Sequence, residues 1–352
     1  MKIIDRDELL KNYKPLIIAG PCAVESRVQI RTIAKELKEM GVKILRCQLW
    51  KPRTDKDSFQ GVGLKGLKWL EEIKEELGVL IATEIVDKDH IKLLKGVTDI
   101  LWVGARNMQN YELLKALGQD NRPVILKRGF IATVDEWIKA AKYIGLDRVI
   151  LCERGIRTGA DAMRFTLDLN GLLVAKYDHK MPVIVDPSHP AGRADMVPYL
   201  AYAGIAAGAD GIVVEVHSHP EKALSDASQQ ITPAVFKGVM DKVNAIYKIS
   251  NETEFVITHF GRTPKKSTKQ NPTKTLLFLA VTNRVGILKD ILTVFADFDI
   301  SLNKLESQPA KNQDFDYSFE VEVESAVEEP RLINALNILK KLCKVIKILG
   351  EY

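Results

Sequence analysis

The sequence predicts an α/β protein: a closed (β/α)8 barrel over residues 1–250, a linker over 251–274, and a small α+β module of βαββαβ order over 275–352. Three observations predict it. Eight short β-branched apolar runs alternate with amphipathic stretches between residues 16 and 249. No GxGxxG follows the first run, which disfavours an open doubly wound sheet. From residue 251 the texture turns polar and basic before a second periodic region begins.

The eight runs are "LIIAG" (16–20), "KILRCQLW" (43–50), "LIATEI" (80–85), "ILWVGA" (100–105), "PVILKRG" (123–129), "RVILCE" (148–153), "PVIVDP" (182–187) and "GIVVEV" (211–216). Between them, segments such as "SRVQIRTIAKELKEMG" (26–41) and "DEWIKAAKYIG" (135–145) repeat apolar residues at three- and four-residue steps and end on glycine, a common helix C-cap. The stretch "NETEFVITHFGRTPKKSTKQNPTK" (251–274) holds two prolines and a lysine cluster and suits a linker. Beyond it come strand "TLLFLAV", helix "GILKDILTVFADFD", strand "ISLNKLES", strand "DYSFEVEVE", helix "PRLINALNILKKLC" and strand "KVIKILG", the order of a ferredoxin-like unit with its own core.

The chain of 352 residues is 46% hydrophobic, enough for an enzyme-sized core. A net charge of +5 is mild, and the basic residues form no long tract with interleaved aromatics, so no nucleic-acid partner is expected. The least polar stretch, "VPYLAYAGIAAGA" (197–209), is too short for a bilayer, and "MKIIDRDELLKNYK" lacks the apolar block of a signal peptide. The expectation is a soluble cytoplasmic protein with no membrane partner. Cys22, Cys47, Cys152 and Cys343 form no CxxC pair, which argues against a disulfide framework or a zinc knot.

In such a barrel, chemistry belongs to the strand ends and the loops that follow them. Closure sets strand eight beside strand one, so Cys22, His189 and Glu215 stand on three consecutive strand ends, with Asp226 on the same side. A thiol, an imidazole and two carboxylates suit a divalent metal, whether Mn, Fe, Co or Zn. Cys47 and Cys152, inside strands, are expected only to pack. A second group is cationic: Arg46, Lys51, Arg53, Arg106, Lys127, Arg154 and Arg157 fill the tops of strands two, four, five and six. Gathering them is costly unless an anion is expected, and arginine matches phosphate and carboxylate with a planar fork. The substrates should be strongly anionic.

The segments "AGPCAVES", "KPRT" with "SFQG", "GARNMQN", "LKRG", "ILCERGIRT", "DPSHPAGR" and "EVHSHPEKALSD" resemble, in unbroken order over residues 14–248, the 3-deoxy-D-arabino-heptulosonate 7-phosphate synthases of the type I beta class. That resemblance implies condensation of phosphoenolpyruvate with erythrose 4-phosphate at the head of the shikimate pathway, using a divalent metal. It implies Cys22, His189, Glu215 and Asp226 as metal ligands. Arg106, Lys127 and Arg154 would hold phosphoenolpyruvate with Arg46 and Arg157 close by, and Lys51, Arg53 and Thr54 would meet the aldose phosphate. Catalytic roles fall to Lys127, His189 and Cys22. Two departures, Asp55-Lys56 in place of Ser-Pro and Gly159-Ala160 in place of Phe-Glu, both touch the aldose side.

The C-terminal module resembles the ACT domain of prephenate dehydratase and aromatic amino acid hydroxylases through "TNRVGILKDIL" and "NKLESQP", with Gln308 where Arg is usual. This implies an aromatic amino acid effector held by Val285, Gly286, Ile287, Leu288, Glu306 and Ser307, between copies of a homodimer or homotetramer. Two other readings are weighed. One is the related 3-deoxy-D-manno-octulosonate 8-phosphate synthase, which "KPRT" disfavours. The other is a catalytically idle amino acid sensor, which the full set of ligands and cations disfavours.

Overall fold

A computed structural model describes residues 4–53, 55–252, 274–309 and 316–351. Thr54 and most of the expected linker, 253–273, lie outside the described residues. The chain divides into two compact units, Met1–Thr253 and Glu254–Tyr352.

The first unit has eight strands: β1 (Leu16–Gly20), β2 (Ile44–Arg46), β3 (Leu80–Glu84), β4 (Ile100–Val103), β5 (Val124–Lys127), β6 (Val149–Glu153), β7 (Val183–Val185) and β8 (Gly211–Glu215). Each pairs in parallel with the next, and β8 pairs back onto β1 with Gly20 opposite Glu215, so the barrel is closed. Its helices are α1 (Arg6–Asn12), α2 (Arg27–Glu39), α3 (Leu67–Leu77), α4 (Asp89–Leu93), α5 (Tyr111–Leu117), α6 (Val134–Ile144), α7 (Leu169–Leu173), α8 (Ser188–Ala191), α9 (Val197–Ala206) and α10 (Pro233–Glu252).

The apolar runs lack polar alternation because both strand faces are covered. Ile18, Ile44, Ala82, Ile100, Ile125, Ile150, Ile184 and Val213 fill the barrel interior, while Ala19, Leu45, Ile81, Leu101, Leu126, Leu151, Val185 and Val214 pack outward under the helices. Leu9 of α1 joins the interior cluster and is fully buried. Cys152 lies in the interior cluster and Cys47 in the outer one, both as buried packing.

Local signals set the helices. Ser26 caps α2 by accepting from Gln29 N, and Ile30, Ile33, Ala34 and Leu37 make its buried stripe. Thr133 and Glu136 form a capping box on α6, whose Trp137 is fully buried and donates Nε1–H to Leu126 O at 3.0 Å. Truncating that indole costs about 3–5 kcal/mol.

In the second unit β9 (Thr275–Val281), α11 (Ile287–Asp297), β10 (Leu302–Pro309), β11 (Tyr317–Val323), α12 (Pro330–Leu342) and β12 (Val345–Glu351) follow in βαββαβ order. The antiparallel sheet runs β10-β11-β9-β12, and Leu277, Leu279, Phe319 and Val321 pack with Ile291, Phe295, Leu332 and Leu339 in a separate core.

Candidate active site

The register of β1 against β8 brings together Cys22, just beyond β1, and Glu215, the last residue of β8. Asp226 reaches them from the loop after β8, from a left-handed backbone (φ 47°) that Asp tolerates better than most residues. One donor atom from each of Cys22, Glu215 and Asp226 lies within 4.8 Å of the others. His189 stands at the edge of this cluster, with Nε2 3.8 Å from Glu215 Oε1 and Nδ1 facing Asp186 Oδ2 at 2.7 Å. The structure thus groups three of the four expected ligands tightly and sets the imidazole beside them.

The donor set fits a divalent cation. Glu215 Oε1 is buried and accepts no hydrogen bond, its near cation being Arg46 Nη2 at 3.0 Å, and the ammonium of Lys51 sits 2.6 Å from Cys22 Sγ and 3.0 Å from Asp226 Oδ2, where positive charge is wanted. Burial, followed by the nearby Glu215, pushes the Cys22 thiol up, against the pull of Lys51. Burial also opposes the charge on Lys51, but Cys22, Glu215 and Asp226 outweigh it and raise its pKa. Asp226, despite burial, is held well below the usual carboxylate range by Lys51 and His189. Burial lowers the pKa of His189, against the neighbouring carboxylates.

The cations divide. The resemblance sets Lys51 against the aldose phosphate; in the structure its ammonium bonds to the thiol and Asp226. Arg46 is fully buried, with Nη2 3.0 Å from Glu215 Oε1 and further bonds to Pro21 O and Cys22 O, so it braces the cluster from below. Lys127 Nζ is 2.6 Å from Asp186 Oδ2. Arg128 is neutralised by Glu153 and Asp168. Arg53 stands 4.0 Å from Asp226 Oδ1. Arg106, Arg154 and Arg157 pair with no carboxylate among the described residues.

These groups line a narrow recess of about 50 Å³ and an adjoining cavity of about 560 Å³; Lys51, Pro52, Arg106, Phe130, Arg154 and His189 border both. A larger cavity of about 690 Å³, between Pro198, Tyr202, Ile231 and Lys242, is mostly apolar and holds none of the cluster.

Several site residues escape sequence reasoning. Gln229 donates to Glu215 Oε2 at 2.6 Å and accepts from Arg164 Nη1 at 2.8 Å, and Gln230 Oε1 accepts from Cys22 N at 2.9 Å. Their only signal is their place, three and four residues after Asp226. Trp102 lies under Arg46 and Lys127, with the charged groups 5.3 and 5.7 Å from the ring centre.

In the second unit Gly286 begins α11 with φ 87°, and Val285 is fully exposed. Ile287 and Leu288 contribute side chains to the core. Glu306 lies on β10, paired with Lys304 at 2.8 Å, and Ser307 follows it opposite Phe319. β10 is a sheet edge two strands from β9, which leads into Gly286, so the expected effector residues split between an edge strand and a helix start.

A closed parallel barrel that gathers a thiol, carboxylates and arginines at its strand ends defines a (β/α)8 enzyme with its chemistry at the C-terminal face of the strands. Residues 9–250 match the DAHP synthetase I family and residues 274–341 the ACT domain. The chain is 46% identical over 233 residues to phospho-2-dehydro-3-deoxyheptonate aldolase of Thermotoga maritima, covering 65% of this chain and 69% of that protein. It is 30% identical over 277 residues to 2-dehydro-3-deoxyphosphooctonate aldolase of Albidiferax ferrireducens, covering 71% and 96%. A crystal structure of the Thermotoga maritima aldolase, also termed DAHP synthase, superposes with a TM-score of 0.63 at 44% identity over 66% of this chain and 68% of that one. The chain belongs to the DAHP synthetase I family and couples its barrel to an ACT domain. No helix among the described residues is long and apolar enough to cross a membrane.

Proposed function

We propose that the barrel, residues 1–250, condenses phosphoenolpyruvate with erythrose 4-phosphate to give 3-deoxy-D-arabino-heptulosonate 7-phosphate and phosphate. The linker 251–274 would join it to a regulatory module, 275–352, that takes phenylalanine or tyrosine. The observation that carries the reading is that Asp226, which clusters with Cys22 and Glu215, lines one cavity together with Arg106, Arg154 and Arg157, none of them paired with a carboxylate among the described residues. It supports a cation site beside a receptor for anions, as two phosphorylated substrates require. We take the enzyme to be cytoplasmic and at least dimeric.

Cys22, Glu215 and Asp226, with His189 beside them, would hold the divalent ion. When bound, that ion polarises an oxygen or lowers the pKa of a water. The remaining work falls to the side chains. Arg106 and Arg154 bind phosphoenolpyruvate and hold its methylene carbon facing the aldehyde, while Arg53 orients the aldose phosphate. The enol electron pair forms the new carbon–carbon bond, the aldehyde oxygen gains a proton, and water adds to the cationic carbon with loss of a proton. Phosphate then leaves and the ketone forms. Lys127, held by Asp186, is placed to pass a proton, and the arginines stabilise the phosphate as its charge develops.

The test is a phosphate-release assay offering phosphoenolpyruvate with erythrose 4-phosphate or with arabinose 5-phosphate, before and after treatment with a chelator. Turnover with the four-carbon aldose, lost on chelation and restored by divalent metal, is the expected result. Preference for the five-carbon aldose would move the chain to the octulosonate reaction, and no turnover with either would leave the sensor reading.

A further inference from the structure

We propose that Phe130 and Phe165 are positioning residues of the anion site: a stacked aromatic pair that holds the arginines of the mouth where carboxylates would otherwise neutralise them. The inference rests on the reading of the barrel as a synthase for phosphorylated substrates. The two rings are 5.5 Å apart between centroids and 15° from parallel. Arg154 is shared by both, its guanidinium carbon 5.0 Å from the Phe130 centroid and 4.3 Å from that of Phe165. Arg106 and Arg157 lie 5.6 and 5.7 Å from Phe130, and Arg164, which also stands 4.0 Å from Asp226 Oδ1, lies 5.6 Å from Phe165. Four guanidiniums from the loops after β4 and β6 thus share two rings.

Carboxylate and ring differ in what they leave free. Arg128, from the same strand end as Lys127, bonds to Ala132 O, Glu153 and Asp168, which use its N–H groups and cancel its charge. A ring attracts a guanidinium through its face and accepts none of its in-plane hydrogen bonds. The N–H edge stays available to phosphate or carboxylate oxygens, which match it in the plane. Arg154 shows this most clearly: it is 3% exposed, and among the described residues its guanidinium donates to the neighbouring Gly155 O and to no carboxylate. Burial pulls its pKa down to about 10, against the more distant charge of Asp186 and with the help of Arg164. A bound anion would relieve that cost.

The pair is anchored where it needs to be. Phe130 O accepts from Arg157 N at 2.7 Å, tying the loop after β5 to the loop after β6. Phe165 N donates to Pro190 O at 3.1 Å, next to His189 after β7. Gly155, at φ 86°, lets the backbone pass close to Phe165, where an added Cβ would come within 2.8 Å of the Phe165 Cβ.

The experiment measures steady-state kinetics and inorganic phosphate binding by calorimetry in the full chain, for Phe130→Leu, Phe165→Leu and the corresponding tyrosine variants. Leucine keeps apolar volume and loses the π face; tyrosine keeps both. We expect each leucine variant to raise KM for phosphoenolpyruvate and Kd for phosphate about threefold to tenfold while kcat moves less than about twofold, and each tyrosine variant to recover most of the loss. Unchanged phosphate affinity in both leucine variants, or tyrosine variants as weak as leucine, would overturn the proposal. A parent protein that binds phosphate but makes no product from the two substrates would instead count against the functional reading, and the phosphate measurement would still judge the rings.

Discussion

The ammonium of Lys51 lies 2.6 Å from the sulfur of Cys22 and also bonds to Asp226, so a side chain occupies ground that a metal ion would claim. Lys51→Met removes that competitor and leaves a thiol and two carboxylates facing one another. We expect it to bind a divalent cation at least as tightly as the parent, read as a larger rise of Tm on adding metal. Turnover should drop about a hundredfold, because the ammonium also borders the substrate cavity. Weaker metal binding with full turnover would contradict this arrangement.

Arg106 is exposed at the mouth and pairs with no described carboxylate. Arg106→Ala should therefore raise KM for phosphoenolpyruvate roughly ten- to hundredfold, the value of a charge-assisted contact of about 1.5–3 kcal/mol, and change KM for the aldose far less. Equal weakening toward both substrates would show that the cations are not divided between them.

Arg122 is 3% exposed and is held by Ile91 O, Leu94 O, Thr98 Oγ1 and Asp120, joining the loop that enters β5 to the end of α4 and the loop that enters β4. Arg122→Met strands those acceptors and should cost the barrel about 3 kcal/mol in a urea titration. Burial favours the neutral form of Asp120, but the bonds from Arg122 outweigh it and lower its pKa. The pair's contribution is thus full above the unfolded carboxyl pKa of about 3.9 and fades as pH falls through the lower folded value. The methionine variant should lose less stability on acidification than the parent, and an identical acid profile would refute the coupling.

For the second unit, phenylalanine or tyrosine should inhibit the full chain. Gly286→Val should abolish that response while leaving the uninhibited kcat in place, because a β-branched residue is strained at φ 87° where α11 begins. Linkage adds a check: substrate must weaken effector binding by the factor that effector weakens substrate binding. Inhibition undiminished in the valine variant would remove the loop from the effector site.

The barrel was legible because each strand is a dense apolar run, buried on both faces, with glycine at several helix ends. Its margins were not. "KILRCQLW" shrinks to Ile44–Arg46 because the chain then leaves the sheet: Gln48 O accepts from Val24 N, and Lys51 N donates to Gln60 O. The short α1 has little periodicity of its own and shows its purpose only when Leu9 meets the barrel interior. Closure made the meeting of Cys22 and Glu215 foreseeable. Partner choice among the cations was not foreseeable, since a lysine or arginine code does not say whether the group faces solvent, as Arg106 does, or a carboxylate, as Arg46 does. Phe130 and Phe165 read as packing in a sequence, because only their orientation against guanidiniums distinguishes them.

The seam between β1 and β8 has a consequence for synthesis. Cys22 and Asp226 are 204 residues apart, so at about 5–20 residues per second the ribosome delivers one roughly ten to forty seconds before the other. For nearly all of that interval the Cys22 thiol has neither Glu215 nor Asp226 with which to share a cation. An oxidant or a stray thiophilic metal meets an unguarded sulfur during translation, and a sheltered one only after the last barrel strand has docked.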